Sequence, residues 1–432
     1  MATPPIRFSD AVAILRQAIA ESRTKIPTPL ETVSLASAAG RVLAGPIRTD
    51  RDQPPFPRST RDGFACRAAE ANTHGFLHLA AHLRAGDDPA AIGFGHVGSG
   101  EVWEIMTGAP IPLGADAVFM VEHAEFSSKP ESAPIHREIY APDTRFVRLA
   151  APRTLAPGEN IVPAGSEAHA GDLIVPAGTR LSAAHIALAA QCGCAQLSVY
   201  ARPAVAILST GDELVAVESI PGPSQIRNSN APMLAALVAA AGGSPLTLPA
   251  VPDKLAPLEA AVRNALDTDL LLITGGISAG RFDLVDQVLA HAEASFLFRG
   301  VAIQPGKPVA FGQIPRTDAP PLPFFALPGN PISSAVTFQL FAAPLLAAIC
   351  GDTGILPRFA QAELSSAWRG KPGLTRLLPA FCNFAQPAQV EIIPWQGSGD
   401  LAAFARSNCF AVIPDDAEQL PTGVSIQILL ID

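Results

Sequence analysis

Between about Arg202 and Cys350 the chain repeats one unit: a short apolar run, a polar or glycine-rich turn, and a helical stretch. Ala204-Val205-Ala206-Ile207-Leu208 ends in Ser209-Thr210-Gly211-Asp212-Glu213. Pro232 to Ala241 then reads as a helix stopped by Gly242-Gly243. Leu246 to Val251 reads as the next strand and Lys254 to Leu266 as the next helix. Leu270-Leu271-Leu272-Ile273 enters Thr274-Gly275-Gly276, and Arg281 to His291 is again helical. Val309-Ala310-Phe311 and Phe324-Phe325-Ala326-Leu327 follow as strands, and Pro331 to Ile349 as a long helix with proline suited to its first turn. Apolar runs this continuous must be covered on both faces, so the alternation dictates a doubly wound, parallel-type sheet between helices. Such sheets bind ligands beyond the carboxyl ends of their strands. The polar turns all follow strands and are expected to converge there.

The remainder reads differently. The expected fold class is multidomain α/β: the central α/β domain over 202–350, a β-rich inserted module over 51–147, a discontinuous N-terminal region (1–50 with 148–201), and a C-terminal β domain over 356–432. In the N-terminal region, Phe8 to Glu21 forms an amphipathic helix with Ser9 or Asp10 as its cap, suited to pack on the central domain. Lys plus Arg is 30 against 39 Asp plus Glu, a net charge of −9, which argues against general affinity for nucleic acid or anionic lipid. The start, Met1 to Arg7, lacks a basic end followed by an apolar stretch, and no uninterrupted apolar run approaches the ~18 residues of a membrane span. A soluble cytoplasmic protein is expected. The 6 cysteines form no CxxC pair, which fits reduced thiols.

Four turns are candidates to carry chemistry, against plainer readings as capping turns or, for Lys307, a solvated surface lysine. In Ser209-Thr210-Gly211-Asp212-Glu213, main-chain N–H groups suit a phosphate and the carboxylates a hard cation; a helix-capping turn is the plainer reading. Thr274-Gly275-Gly276-Ile277-Ser278, with Asp283 beyond, lets the main chain approach a ligand or simply turns tightly into a helix. Gln304-Pro305-Gly306-Lys307-Pro308 holds one lysine in a rigid loop, a pre-ordered cation for an oxyanion such as phosphate or molybdate. Leu327-Pro328-Gly329-Asn330-Pro331-Ile332-Ser333 opens a helix, whose N-terminus attracts anions. His74, His78 and His82 recur every four residues, but Gly75 and the lack of a nearby acidic ligand disfavour a helical metal face.

Singly these are weak signals; their order is specific. Together they resemble the molybdopterin molybdenumtransferase family, which includes the gephyrin E-domain. Asp62-Gly63-Phe64-Ala65, Met106-Thr107-Gly108-Ala109-Pro110-Ile111-Pro112, Pro176-Ala177-Gly178-Thr179-Arg180-Leu181 and Gln396-Gly397-Ser398-Gly399 extend the resemblance over nearly the whole chain. It implies a molybdopterin-binding fold and a homodimer in which 1–50 and 148–201 serve as linker and dimerisation region. It also implies a Mg²⁺-dependent reaction in which molybdate replaces the adenylyl group of adenylylated molybdopterin, giving molybdenum cofactor and AMP. Transient contacts with the molybdopterin adenylyltransferase and with recipient molybdoenzymes are implied as well. On this reading Asp212, Glu213, Asp253 and Asp283 surround Mg²⁺ and the pyrophosphate. Ser209, Thr210, Gly211, Thr274, Gly275, Gly276 and Ser278 hold phosphate or pterin. Lys307, between Pro305, Gly306 and the turn of Pro328, Gly329, Asn330 and Ser333, pairs with the oxyanion, helped by Ser398. Asp62 is implied to reach the cleft from a separate module or from the partner subunit, and Glu167 lies near a further acidic position of the family.

Two segments depart from the family. Where the family reads Asp-Asn-Ser-Ala-Met, this chain reads Pro57-Arg58-Ser59-Thr60-Arg61. Near Gly373 the family's Gly-Arg-x-x-Phe-x-Arg becomes Gly373-Leu374-Thr375-Arg376-Leu377-Leu378-Pro379, so both arginines are displaced, with Arg58, Arg61 or Arg376 as substitutes. The departures leave two rivals: a paralogue that binds molybdopterin or finished cofactor without inserting metal, and a nucleotide pyrophosphatase on the same fold.

Overall fold

The computed structural model describes residues 4–25, 29–92, 95–130, 145–276, 284–354 and 357–431. The chain divides into two compact units, Met1–Gly45 with Pro176–Leu188 and Cys194–Asp432, and Pro46–Val175 with Ala189–Gly193.

The first unit is built on a six-stranded sheet ordered Ser244–Thr247, Ala204–Ser209, Leu270–Thr274, Leu322–Leu327, Ala310–Ile314, Ser295–Arg299. The first four strands run parallel. Ala310–Ile314 alone runs against the others, paired antiparallel to both Leu322–Leu327 and Ser295–Arg299, within the parallel-type sheet that was expected. The reason is local: only 315–321 joins Ala310–Ile314 to Leu322–Leu327, enough for a hairpin and too little for a crossover helix. Alternate residues of each strand enter opposite cores. Val205, Ile207, Leu270 and Leu272 meet Leu234 and Val238 of helix Asn230–Ala240 on one face. Ala206, Leu208, Leu271 and Ile273 meet Leu258, Val262 and Val288 of helices Leu255–Asn264 and Leu284–His291 on the other. Double burial is what the unbroken apolar strands demanded.

The expected Pro331–Ile349 helix is interrupted. Phe338–Ala342 is a π turn, in which the Ala343 N–H reaches the Phe338 carbonyl, between helices Pro331–Thr337 and Ala343–Ile349. Pro344 has no N–H to continue the α pattern there. By length and composition this stretch could cross a bilayer, but 94% of it is buried inside the protein. Helix Phe8–Lys25 buries Ala11, Leu15 and Ala18 in the same core. It already starts at Phe8, so Ser9 and Asp10 lie in its first turn and do not cap it. The 246–251 strand also differs: pairing covers Ser244–Thr247, and Val251 makes a single bridge to Thr210.

Beyond residue 357 the strands Thr375–Asn383, Gln389–Ile392, Phe359–Leu364, Ser425–Leu430 and Cys409–Ile413 close into a barrel, because Thr375–Asn383 pairs with Cys409–Ile413 as well. Closure removes the exposed edges an open sheet would leave.

The second unit holds a six-stranded sheet ordered Ala117–Met120, Gly63–Cys66, Glu101–Ile105, Leu77–Leu83, Phe146–Leu149, Ala124–Ser127. His78 and His82 lie on one of its strands and His74 in a turn, so no helical histidine face exists; His82 pairs with Glu104. All six cysteines are free thiols, and burial holds Cys350 up to about 11 and Cys409 up to about 12.

Candidate functional site

Strand order reverses at the Ala204–Ser209 and Leu270–Thr274 pair: one connection runs outward to Ser244–Thr247, the next returns to the other side. Neighbouring loops part at such a point and leave a crevice beyond the strand ends. A cleft of about 350 Å³ lies there, lined by Ser209, Thr210, Glu213, Thr274, Gly275, Gly329 and Asn330 among others. Three of the four turns singled out from sequence therefore meet.

Their backbones are stitched together. The Thr210 N–H donates to the Thr274 carbonyl at 3.0 Å, and the Gly275 N–H to the Leu327 carbonyl at 3.4 Å. Gly275 has φ +94°, and a Cβ there would overlap the Thr210 carbonyl oxygen, so only glycine permits this approach. Gly276, at φ +63°, lies against Val285. The Gly211 N–H donates to the Val251 carbonyl at 3.2 Å, which brings the following loop alongside. As a result Thr210 Oγ1 donates to Asp253 Oδ1 at 2.6 Å, and the Asp253 N–H to Asp212 Oδ1 at 3.1 Å. Asp212, Glu213 and Asp253 are all exposed. Ser278 and Asp283 lie outside the described residues.

Below the cleft is a buried polar layer. Asn230 Nδ2 donates to Thr274 Oγ1 at 2.9 Å and to the Gly329 carbonyl at 2.7 Å. Its Oδ1 finds no donor among the described residues. Asn228 Oδ1 accepts from the Ala231 N–H at 3.1 Å and from Ser209 Oγ at 3.4 Å. Ser334 and Thr274 both donate to the Pro328 carbonyl. On the far rim, Asn330 Nδ2 donates to Ser398 Oγ at 2.8 Å, and the Ile332 N–H to the Ser398 carbonyl at 3.0 Å. Ser333 is buried within its helix.

The Pro305-Gly306-Lys307 loop is placed elsewhere. It follows the short strand Ile303–Gln304, which adds to the C-terminal barrel with Gln304 opposite Arg376, not to the central sheet. A Cβ on Gly306 would stand 2.6 Å from Thr337 Cγ2, at the end of helix Pro331–Thr337 remote from the cleft. At 1.5 Å per residue that helix spans ~10 Å. Lys307 is exposed and is not among the cleft-lining residues. Arg376 lies over the Trp368 ring at 5.5 Å and donates to the Leu374 carbonyl at 3.3 Å.

Sequence reading missed Arg227, Asn228, Ser229 and Asn230, which line the cleft. They follow no strand of the main sheet. A parallel pairing of Leu214–Val215 with Ile226–Arg227 folds this segment back over the strand ends. The one available signal was the asparagine pair just before an apolar helix.

In the second unit the Asp62 and Met-Thr-Gly motifs meet. Thr107 donates its N–H at 2.6 Å and its hydroxyl at 2.7 Å to Asp62 Oδ1. These bonds hold the Asp62 carboxyl below its ordinary range, so it is ionised at neutral pH. Glu167 pairs with Arg58 at 2.9 Å, and Arg61 is exposed.

Three family descriptions match successive parts of the chain: MoeA N-terminal region (domain I and II) over residues 6–193, probable molybdopterin binding domain over 206–348, and MoeA C-terminal region (domain IV) over 361–431. A molybdopterin molybdenumtransferase of Nostoc sp. is 32% identical over 414 residues, covering 92% of this chain and 88% of the relative. One from Bacillus subtilis is 32% identical over 409 residues, covering 93% and 90%. The crystal structure of a molybdopterin biosynthesis moeA protein from Pyrococcus horikoshii OT3 superposes with a TM-score of 0.78 at 26% identity, over 99% of this chain and 100% of that one.

Proposed function

Because the chain belongs to the molybdopterin molybdenumtransferase family, we propose that it inserts molybdate into adenylylated molybdopterin, releasing AMP and forming molybdenum cofactor. The observation that carries this is the junction of the 209–213, 274–275 and 329–330 turns in one cleft at the reversal of strand order. Arg227 in the cleft lining and the adjoining carboxylates of Asp212, Glu213 and Asp253 suit a phosphoanhydride bound with a divalent cation better than a neutral substrate. The Asn230 Oδ1 without a donor suits an amino or ring N–H of the pterin.

Magnesium fits the donors in one sense. Among the described residues no group of three acidic, His or Cys side chains forms a ready-made metal cage. Mg²⁺ rarely needs one: it keeps several waters and takes one or two carboxylates together with substrate phosphates. Asp212, Glu213 and Asp253 are the residues that would hold it, and Asp283 is a further candidate from sequence alone. When bound it neutralises charge at the phosphorus from which AMP departs. Thr210 orients Asp253, and the Asp253 N–H orients Asp212, so both carboxylates are pre-positioned by hydrogen bonds. Lys307 would attract molybdate from the barrel side, near Arg376.

The reaction test is direct: purified protein is incubated with adenylylated molybdopterin, Mg²⁺ and molybdate. AMP release coupled to cofactor formation is expected. Tight pterin binding without AMP release at any molybdate concentration overturns the reading in favour of a binding paralogue, which the engagement of Arg376 with Trp368 favours. AMP release indifferent to molybdate points instead to a pyrophosphatase. We further propose a cytoplasmic homodimer that contacts the adenylyltransferase and recipient molybdoenzymes transiently; light scattering at micromolar protein tests the dimer.

A further inference from the structure

We infer that Arg227 is the residue that receives the anionic, phosphate-bearing end of the substrate, an inference that rests on the cleft assignment above. Among the described residues that line the cleft, Arg227 is the one Lys or Arg side chain, and Glu213 the one carboxylate. They stand on adjacent segments: Val215 is the register partner of Arg227, and the Ile226 N–H donates to the Glu213 carbonyl at 2.8 Å. Yet the two side chains form no ion pair. Arg227 Nε donates to the Val217 carbonyl at 2.8 Å, and the rest of its guanidinium has no partner among the described residues.

This arrangement anchors the root of the side chain and leaves its terminal N–H groups free at the mouth of the cleft. A guanidinium so held presents a planar donor fork that matches two phosphate oxygens. The neighbouring helix end has few donors to offer: the Ala231 N–H is taken by Asn228 Oδ1, Pro232 has none, and the Met233 N–H donates to the Ser229 carbonyl at 3.3 Å. Lys307 does not replace it either, since its loop docks on the far end of helix Pro331–Thr337. Without Arg227 the cleft would offer a polyanion an uncompensated carboxylate. With it, the guanidinium stands beside the Glu213 end of the 209–213 turn, where it offsets the carboxylates that would hold the metal.

The test is calorimetric titration of the full chain with inorganic pyrophosphate in Mg²⁺, for wild type, Arg227→Gln and Arg227→Lys, alongside the AMP-release assay. Arg227→Gln should weaken pyrophosphate binding by about tenfold or more, the loss of a charge-assisted hydrogen bond. Arg227→Lys should fall between, and the salt dependence of binding should flatten in Arg227→Gln. If wild type releases AMP and Arg227→Gln binds pyrophosphate within twofold of it, the role of Arg227 is wrong and the transferase reading stands. If Arg227→Gln loses pyrophosphate while wild type releases no AMP, the anion site stands and the transferase reading falls. Unchanged melting temperatures for both variants establish that neither loss is unfolding.

Discussion

Thr107 donates both its N–H and its hydroxyl to a single carboxylate oxygen, Oδ1 of Asp62, at 2.6 and 2.7 Å. Two motifs more than forty residues apart in sequence thereby act as one. The pairing has a pH signature. The folded carboxyl titrates below its unfolded value, so its stabilisation is present above the unfolded pKa, ~3.9, and is lost as pH falls through the lower folded value. Thr107→Val removes the hydroxyl bond and keeps the N–H bond. Urea unfolding should show a loss of about 1 kcal/mol at pH 7 that shrinks towards zero at low pH. A loss independent of pH down to full protonation would assign the effect to packing alone.

Gly275 should tolerate no side chain. Its left-handed backbone and the Thr210 carbonyl leave no room for Cβ. Gly275→Ala should lower stability by roughly 1–3 kcal/mol and abolish pyrophosphate binding, since it separates the two strand ends. Gly45→Ala, where a Cβ meets nothing within 4 Å, is the control and should leave both unchanged.

Asn230 fastens strand Leu270–Thr274 to the Gly329 turn through one amide nitrogen. Asn230→Asp replaces that donor with an acceptor facing a carbonyl oxygen. A destabilisation of about 2 kcal/mol or more is expected by thermal or urea unfolding, larger than that of Asn230→Ala. Equal losses in the two variants would mean that the amide geometry matters less than its volume.

Lys307→Ala tests the barrel-side loop. The side chain is exposed, so the melting temperature should stay within a degree or so of wild type. The molybdate concentration giving half-maximal cofactor formation should rise several-fold, with pyrophosphate affinity unaltered. An unaltered molybdate dependence would remove Lys307 from the reaction.

Much of the central sheet was legible because its signals are local. Continuous apolar runs such as Leu270–Ile273 must be buried on both faces, and each ends in a polar or glycine-bearing turn. Which sheet the segment before Gln304-Pro305-Gly306-Lys307-Pro308 joins was not legible for the same reason. A rigid loop after a short apolar segment looks identical whether that segment joins the central sheet or, as Ile303–Gln304 does, the C-terminal barrel.

By itself the sequence determined most of the central domain's helices and strands, the double-sided burial of its strands and the order of the family motifs, all of which follow from residue periodicity and turn chemistry over a few positions. Only the tertiary structure decided which turns share a cleft. Strand order, the antiparallel strand, the closing of the barrel through Thr375–Asn383 and Cys409–Ile413, and the fold-back that carries Arg227 and Asn230 to the strand ends are all long-range pairings. Backbone hydrogen-bond partners in such pairings are chosen by competition among distant segments for the same strand edge, and no window of neighbouring residues records the outcome.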